Sequence, residues 1–296
     1  MSGGAQRRGM FDAFLAPRPA PDVPMPTIRR SFARGFVTVL STPFLVIGTS
    51  VLVIAEWLVV VAAGFQGPFA VFVHALALPP VGTLLDVNVS GNLFPGTVAG
   101  LLALGAAIVL RGAILAIVAA ASVQAIRDGR VTRWVWVPAI RAFPASLAVS
   151  LASLSLLFVQ AMLGAFIGGV GGLGQLLLIG GLVLGVSYFG FAPAIAASDD
   201  RRLIDTLTRA YRTARIPGSG NLTLAVLYVV PSFAVLLGAT AMPGGQIGVN
   251  PSVGAWVLVL LLNVLHVAVG ATYAFRYLAI AEWVPETPAR PEPRRR

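Results

Sequence analysis

Ala106–Ala120 reads AAIVLRGAILAIVAA, a run of small and apolar side chains interrupted once, by Arg111. The apolar stretch around it extends over 97–124. At 1.5 Å per residue, about twenty helical residues cross the roughly 30 Å hydrocarbon layer of a bilayer. A guanidinium there is costly, roughly 2.5–3.5 kcal/mol at a helix centre on insertion scales, so it faces a partner or a wet cavity rather than lipid. Arg111 is therefore read as a paired cation inside a membrane span.

Working outward, comparable apolar runs fall at 43–64, 144–168, 174–197, 222–241 and 253–278. Apolar residues make up 57% of the chain and charged residues 11%, with a mean hydropathy of +0.87. A soluble domain of 296 residues needs far more polar surface. The expected fold is all-α: a polytopic transmembrane bundle of six spans with short cytoplasmic amphipathic helices. Residues 1–27 and 285–296 read as disordered tails around a membrane domain over 28–284, since the first segment is rich in Gly, Pro and Arg and lacks the apolar core of a signal peptide.

Charge decides the orientation. Arg7, Arg8, Arg18, Arg29, Arg30 and Arg34 precede the first span; Arg127, Arg130, Arg133 and Arg141 separate the second and third. Arg201, Arg202, Arg209, Arg212 and Arg215 separate the fourth and fifth, and Arg276, Arg290, Arg294, Arg295 and Arg296 end the sixth or follow it. The remaining connections hold no basic residue. Every arginine except Arg111 thus falls on one side, and the positive-inside rule makes that side the cytoplasm, with both termini in it and the protein multi-pass in the inner membrane. Pro68–Leu85 (PFAVFVHALALPPVGTLL) is long enough to suggest a seventh crossing, but Pro79 and Pro80 break it, and a crossing would scatter the arginines over both faces. It reads as interfacial or re-entrant on the outer side, with His74 a polar rim residue.

The net charge of +10 does not point to nucleic acid, because the arginines flank apolar runs instead of covering a soluble face. All basic residues are arginine, as in a GC-rich prokaryotic genome, and cysteine is absent. Disulfide and thiol chemistry are thereby excluded.

A layout repeat is visible: a basic amphipathic stretch precedes each outward span, as RRSFARGF, RVTRWVWVPAIRAF and RRLIDTLTRAYRTAR. In the third, Leu203, Ile204, Leu207, Ala210, Tyr211 and Ala214 share one helical face, with Arg201, Asp205, Arg209 and Arg212 elsewhere. Ser198 is expected to cap it, Asp199 and Asp200 to suit its N-terminus, and PGSG (Pro217–Gly220) to stop it. The block Ala192–Leu227, with its proline-bearing span end, acidic pair, arginine-rich helix and polar restart, resembles a loose family of bacterial and archaeal six-helix membrane proteins. That family is related to the membrane domain of glycerophosphoryl diester phosphodiesterases. The resemblance implies a fold and no reaction, because the carboxylate and histidine clusters of the catalytic barrel are not in this sequence.

Other motifs dissolve on inspection. GVGGLG (Gly169–Gly174) has the dinucleotide-binding spacing but lies between two spans rather than in a βαβ unit. The sequons at Asn88 and Asn221 stand on opposite sides of the membrane, and Pro43, Pro193 and Pro231 read as helix kinks. No cofactor, metal set or catalytic constellation is readable.

What remains is the intramembrane polar set: Glu56, Arg111, Asn263 and His266. Glu56 lies about 12 Å from the outer end of its span and Arg111 about 21 Å from that of its own, a gap an arginine side chain can largely bridge. Asn263 and His266, three apart, share a helix face. Two readings stay open. One is a non-enzymatic module acting in membrane organisation, lipid interaction or support of a membrane-protein partner, with the set as a clamp. The alternative is a small transporter or permease-like subunit using the buried Glu/Arg/His cluster. The arginine-rich helices add candidate contacts for anionic lipid headgroups: Arg201, Arg202, Arg209, Arg212 and Arg215.

Overall fold

Thr42 separates two helices that meet at 82°: α1 (Ile28–Ser41) and α2 (Pro43–Ala62). The elbow follows from Pro43, whose ring disfavours helical backbone at the residue before it; Thr42 sits at φ −130°, ψ 60°. A computed structural model of the chain describes residues 25–62, 98–167, 171–241 and 253–284. All regular structure among them is helical: α3 (Val98–Asp128), α4 (Trp136–Ile167), α5 (Gly171–Phe189), α6 (Ala192–Ser198), α7 (Leu203–Ala214), α8 (Asn221–Ala241) and α9 (Val253–Ile280). Single 3₁₀ turns at Arg133–Val135 and Ala281–Trp283 precede α4 and follow α9. The segment 68–85, with His74, lies outside the described residues, as does Asn88.

Small side chains make the centre. α3 packs on α4 and α9, and the short α6 lies against α3 and α4. Ala116, Ala119 and Ala120 of α3, Ala139, Ala142 and Ala145 of α4, Ala194 and Ala196 of α6, and Ala268 and Ala274 of α9 are all buried. Alanine lets backbones approach closely, so dispersion contacts do the work that water exclusion does in a soluble core. Large apolar side chains point the other way: Phe44, Ile47, Val51 and Leu58 of α2, Leu151 of α4, Leu184 of α5, and Leu222 and Val226 of α8 are exposed. Buried Ser, Thr, Asn and Arg beneath an apolar exterior reverse the soluble pattern and suit a hydrocarbon solvent.

Among the described residues, three helical stretches are long and apolar enough to cross a membrane: Ile108–Asp128, Arg133–Ala152 and Ile179–Ser198. The bent pair α1–α2 brings the number to four if it crosses as one element. Among the described residues the chain is thus all-helical, with three or four candidate membrane spans.

The repeat is less regular than the sequence suggests. The second basic stretch, expected as a separate interfacial helix, runs into the following span as one helix, α4, with Pro144 inside it. Proline removes a single bond, the one to the Ile140 carbonyl, while Ala139, Ala142 and Ala145 stay packed on either side. The helices formed by the first and third basic stretches, α1 and α7, do remain separate from the helices that follow them.

Candidate functional site

Asn263 and His266 lie one turn apart on α9 but hold different helices. Asn263 donates from Nδ2 to the Val46 carbonyl (3.1 Å) and to Ser50 Oγ (2.6 Å), and accepts from Thr49 Oγ1 (3.2 Å). It thereby fixes α9 against α2. His266 instead has Nδ1 2.8 Å from the Tyr228 hydroxyl of α8, with the two rings edge-on at 84°. Arg111 is buried on α3. α3 and α9 run in the same sense, because at their ends Arg127 donates to the Ser198 carbonyl and Tyr277 to the adjacent Asp199. Val118 faces Gly270, and Arg111 and Asn263 each stand seven residues, about two turns, before that contact. They therefore share one level of the bundle. Glu56 stands six residues beyond Ser50 on α2, about 9 Å farther along the helix, and its side chain lies outside the described residues. The set expected as one cluster thus sends Asn263 to α2 and His266 to α8.

A denser polar network occupies the end of the bundle where α6, α7 and α9 meet. Its centre is the turn Ser198–Asp200. Asp199 Oδ2 accepts from the Tyr277 hydroxyl (2.6 Å) and from Arg201 Nε (3.0 Å), and Oδ1 accepts from Ser198 Oγ (3.0 Å). Arg209 Nε donates to the same Tyr277 oxygen at 2.6 Å and lies 3.6 Å from Asp199 Oδ2. Its two terminal nitrogens donate to the carbonyls of Val284 (3.2 Å) and Ala281 (2.5 Å), in the 3₁₀ turn that follows α9 and just beyond it. Burial favours the neutral acid of Asp199, yet the hydrogen bonds from Tyr277, Arg201 and Ser198 and the charge of Arg209 outweigh it. The carboxyl is held below its ordinary pKa and stays ionised. Asp200 pairs with Arg141 of α4 at 3.7 Å, so arginines from three helices converge on this turn.

Arg276 forms a second knot beside the first. It is 0% exposed and has no carboxylate among its hydrogen-bond partners. One terminal nitrogen donates to the Pro26 carbonyl (3.2 Å) and Ser31 Oγ (3.4 Å), the other to Asn221 Oδ1 (3.0 Å) and the Ser219 carbonyl. A single guanidinium thus joins the entry to α1, the start of α8 and the end of α9.

These contacts correct two expectations about α7. Arg209 and Arg212, expected to reach lipid headgroups, are each 6% exposed and face inward with Thr206 and Thr213, whereas Ile204 is 58% exposed. Arg201 is engaged with Asp199, and the Arg215 guanidinium lies 5.3 Å from the centre of the Tyr211 ring. Of the five candidates, Arg202 is the exposed one. The reason is local: a carboxylate, a phenol and backbone carbonyls beside α7 draw Arg209 inward, while Ala210 stays in the core and Leu203 and Ile204 are left outside. Nor do Ser198 and the acidic pair cap α7; its N-cap is Arg202, without a side-chain cap bond, because Asp199 is committed to Tyr277.

Arg276 and Tyr277 were legible only as the end of the last apolar run. The signal was present in TYAFRY (Thr272–Tyr277), where polar side chains crowd the final turns of a span. Among the described residues, no group of three or more His, Asp or Glu side chains could hold a metal ion. The terminal nitrogens of Arg209 and Arg276 all have acceptors. Set against protein-family models, curated proteins and solved structures, the chain matches none.

Proposed function

We propose that the protein is a non-enzymatic integral membrane module that engages anionic lipid headgroups along its cytoplasmic edge. The observation that carries this reading is the outer face of the α1–α2 elbow. Along it, exposed Arg30 and Arg34 give way to exposed Val37 and Leu40, and then to Phe44, Ile47 and Val51. Cation followed by hydrocarbon along one face fits the boundary between phosphates and acyl chains. A second exposed edge supports it: Arg133 lies over Trp134 at 5.3 Å, and Trp134, Trp136 and Ile140 are exposed, as in an interfacial aromatic belt. The dispersal of Asn263 and His266 to internal partners favours a supporting role over a shared transport site. The six spans, the cytoplasmic termini and the layout that resembles the six-helix family belong to this reading.

Each arginine near an anionic surface contributes on the order of 1 kcal/mol. Replacing Arg29, Arg30 and Arg34 together by Gln is expected to weaken association with anionic lipid up to about a hundredfold. Lipids retained on the purified protein, measured by native mass spectrometry, check this. The inward pair Arg209→Gln/Arg212→Gln should instead cost stability and leave the retained lipid unchanged. Equal retention of anionic and zwitterionic lipid by the unaltered chain would sink the proposal.

Topology has its own test, eased by the absence of cysteine. Cysteines placed at Ser90 and Gln246 should react with an impermeant reagent in intact cells, and those at Thr132 and Ser219 should not. Labelling of Thr132 from outside would overturn the six-span arrangement.

A further inference from the structure

The candidate span Ile179–Ser198 is not one unbroken helix. α5 stops at Phe189 and α6 starts at Ala192. Gly190 permits the break: a Cβ there would lie 2.6 Å from the Val186 carbonyl oxygen and 2.7 Å from Tyr273 Cζ. Pro193 enforces it, since the Phe189 carbonyl has no amide hydrogen four residues on. Carbonyls freed at membrane depth cannot turn to bulk water and must be satisfied by neighbouring helices or ordered waters. α9 already reaches the edge of the break: the Val186 carbonyl keeps its helical amide from Gly190 (2.9 Å) and accepts in addition from the Tyr273 hydroxyl at 3.2 Å.

On α9, at positions that bring them to the same side as Tyr273, stand Gly270 and His266. Beside the imidazole lies a cavity of about 20 Å³, bounded by Val118 and Ala119 of α3, by Gly190, Pro193 and Ala194 of the break, and by Gly270. Among the described residues around it, His266 supplies the only side chain able to hydrogen-bond. Nδ1 of that ring is engaged by Tyr228, and no described residue hydrogen-bonds Nε2. The volume suffices for one water. A purely apolar pocket of this size would stay dry, but a ring nitrogen left without a partner costs more than ordering a single water.

We propose that this cavity is a binding site for one water molecule, hydrogen-bonded to His266 Nε2 and to a backbone carbonyl of the Gly190–Pro193 break. Water serves either imidazole tautomer, because it can donate to Nε2 or accept from it while donating to the carbonyl. The break is then a hydrated joint, held on its α9 side by Tyr273 directly and by His266 through the water.

The chain has two histidines, so a His74→Gln protein, full length in nanodiscs, leaves the His266 ring protons as isolated NMR probes. A cross-relaxation peak between those protons and a long-lived water is expected, together with ring-nitrogen shifts that report a hydrogen bond at both Nδ1 and Nε2. Ala119→Val, whose added methyl groups take up the volume, should remove the water peak while the Nδ1 signature of the Tyr228 bond persists. The same peak should appear in the unaltered chain, where His266→Gln identifies it by its loss. A folded His74→Gln protein without the water peak overturns the proposal, and so does a peak that survives Ala119→Val.

Discussion

Arg276→Met is expected to be the most damaging polar substitution in the protein. The methionine fills much of the arginine's volume but restores none of its hydrogen bonds, leaving Asn221 Oδ1, Ser31 Oγ and the carbonyls of Pro26 and Ser219 without the donors that now serve them. Hydrogen bonds to a charged group contribute about 1.5–3 kcal/mol each, and unmade acceptors add their desolvation cost. A loss of at least about 3 kcal/mol follows, or roughly 6–12 °C in Tm for a chain of this order. Thermal unfolding in mild detergent, followed by loss of the monodisperse peak, measures it. Arg276→Lys should recover only part of the loss, because an ammonium on a single stem cannot span acceptors placed on two sides of a planar fork. Unfolding of Arg276→Met at the temperature of the unaltered protein would show that the three elements hold together without this knot.

The second large effect is steric. Gly35 of α1 crosses α9 so closely that a Cβ would collide with the Ala268 carbonyl oxygen and Thr272 Oγ1, and would come within 3.2 Å of the Thr272 backbone nitrogen. Two of these atoms belong to the α9 backbone, so relief requires the helices to separate. Gly35→Val is expected to cost about 3 kcal/mol, the upper end of ordinary overpacking, and to loosen α1 enough for a protease to cut near it. Gly48 provides the control on the same arm of the chain. Nothing lies within 4 Å of a Cβ there, so Gly48→Ala should leave stability unchanged or slightly raised, alanine being the better helix former. Equal protease resistance in Gly35→Val and the unaltered chain would contradict the crossing.

Both sites show which features composition could carry. The helical, apolar character of the chain was legible because spans are a one-dimensional property: a run of apolar residues, its length, and the charge beside it. Pro43 announced the elbow and Pro193 the break, since proline acts on its own neighbours. The buried status of Arg111, Asn263 and His266 was legible too, because a polar group within an apolar run must turn inward.

Their partners were not legible. Thr49 and Ser50 find Asn263 across more than two hundred residues of chain, and Tyr228 finds His266 from another helix. The burial of Arg209 and Arg212 on α7, beside the expected Ala210, was not legible for a related reason. The sequence by itself determined that this helix has an apolar and a cationic face, and that the bundle is helical with its arginines gathered at span ends. Only the tertiary structure decided which face turns inward. Asp199, Tyr277 and the carbonyls just beyond α9 converge on one point through segments far apart in the chain. Periodicity fixes how side chains are distributed around a helix axis, but the choice of face depends on which acceptors lie beside it once the chain has folded.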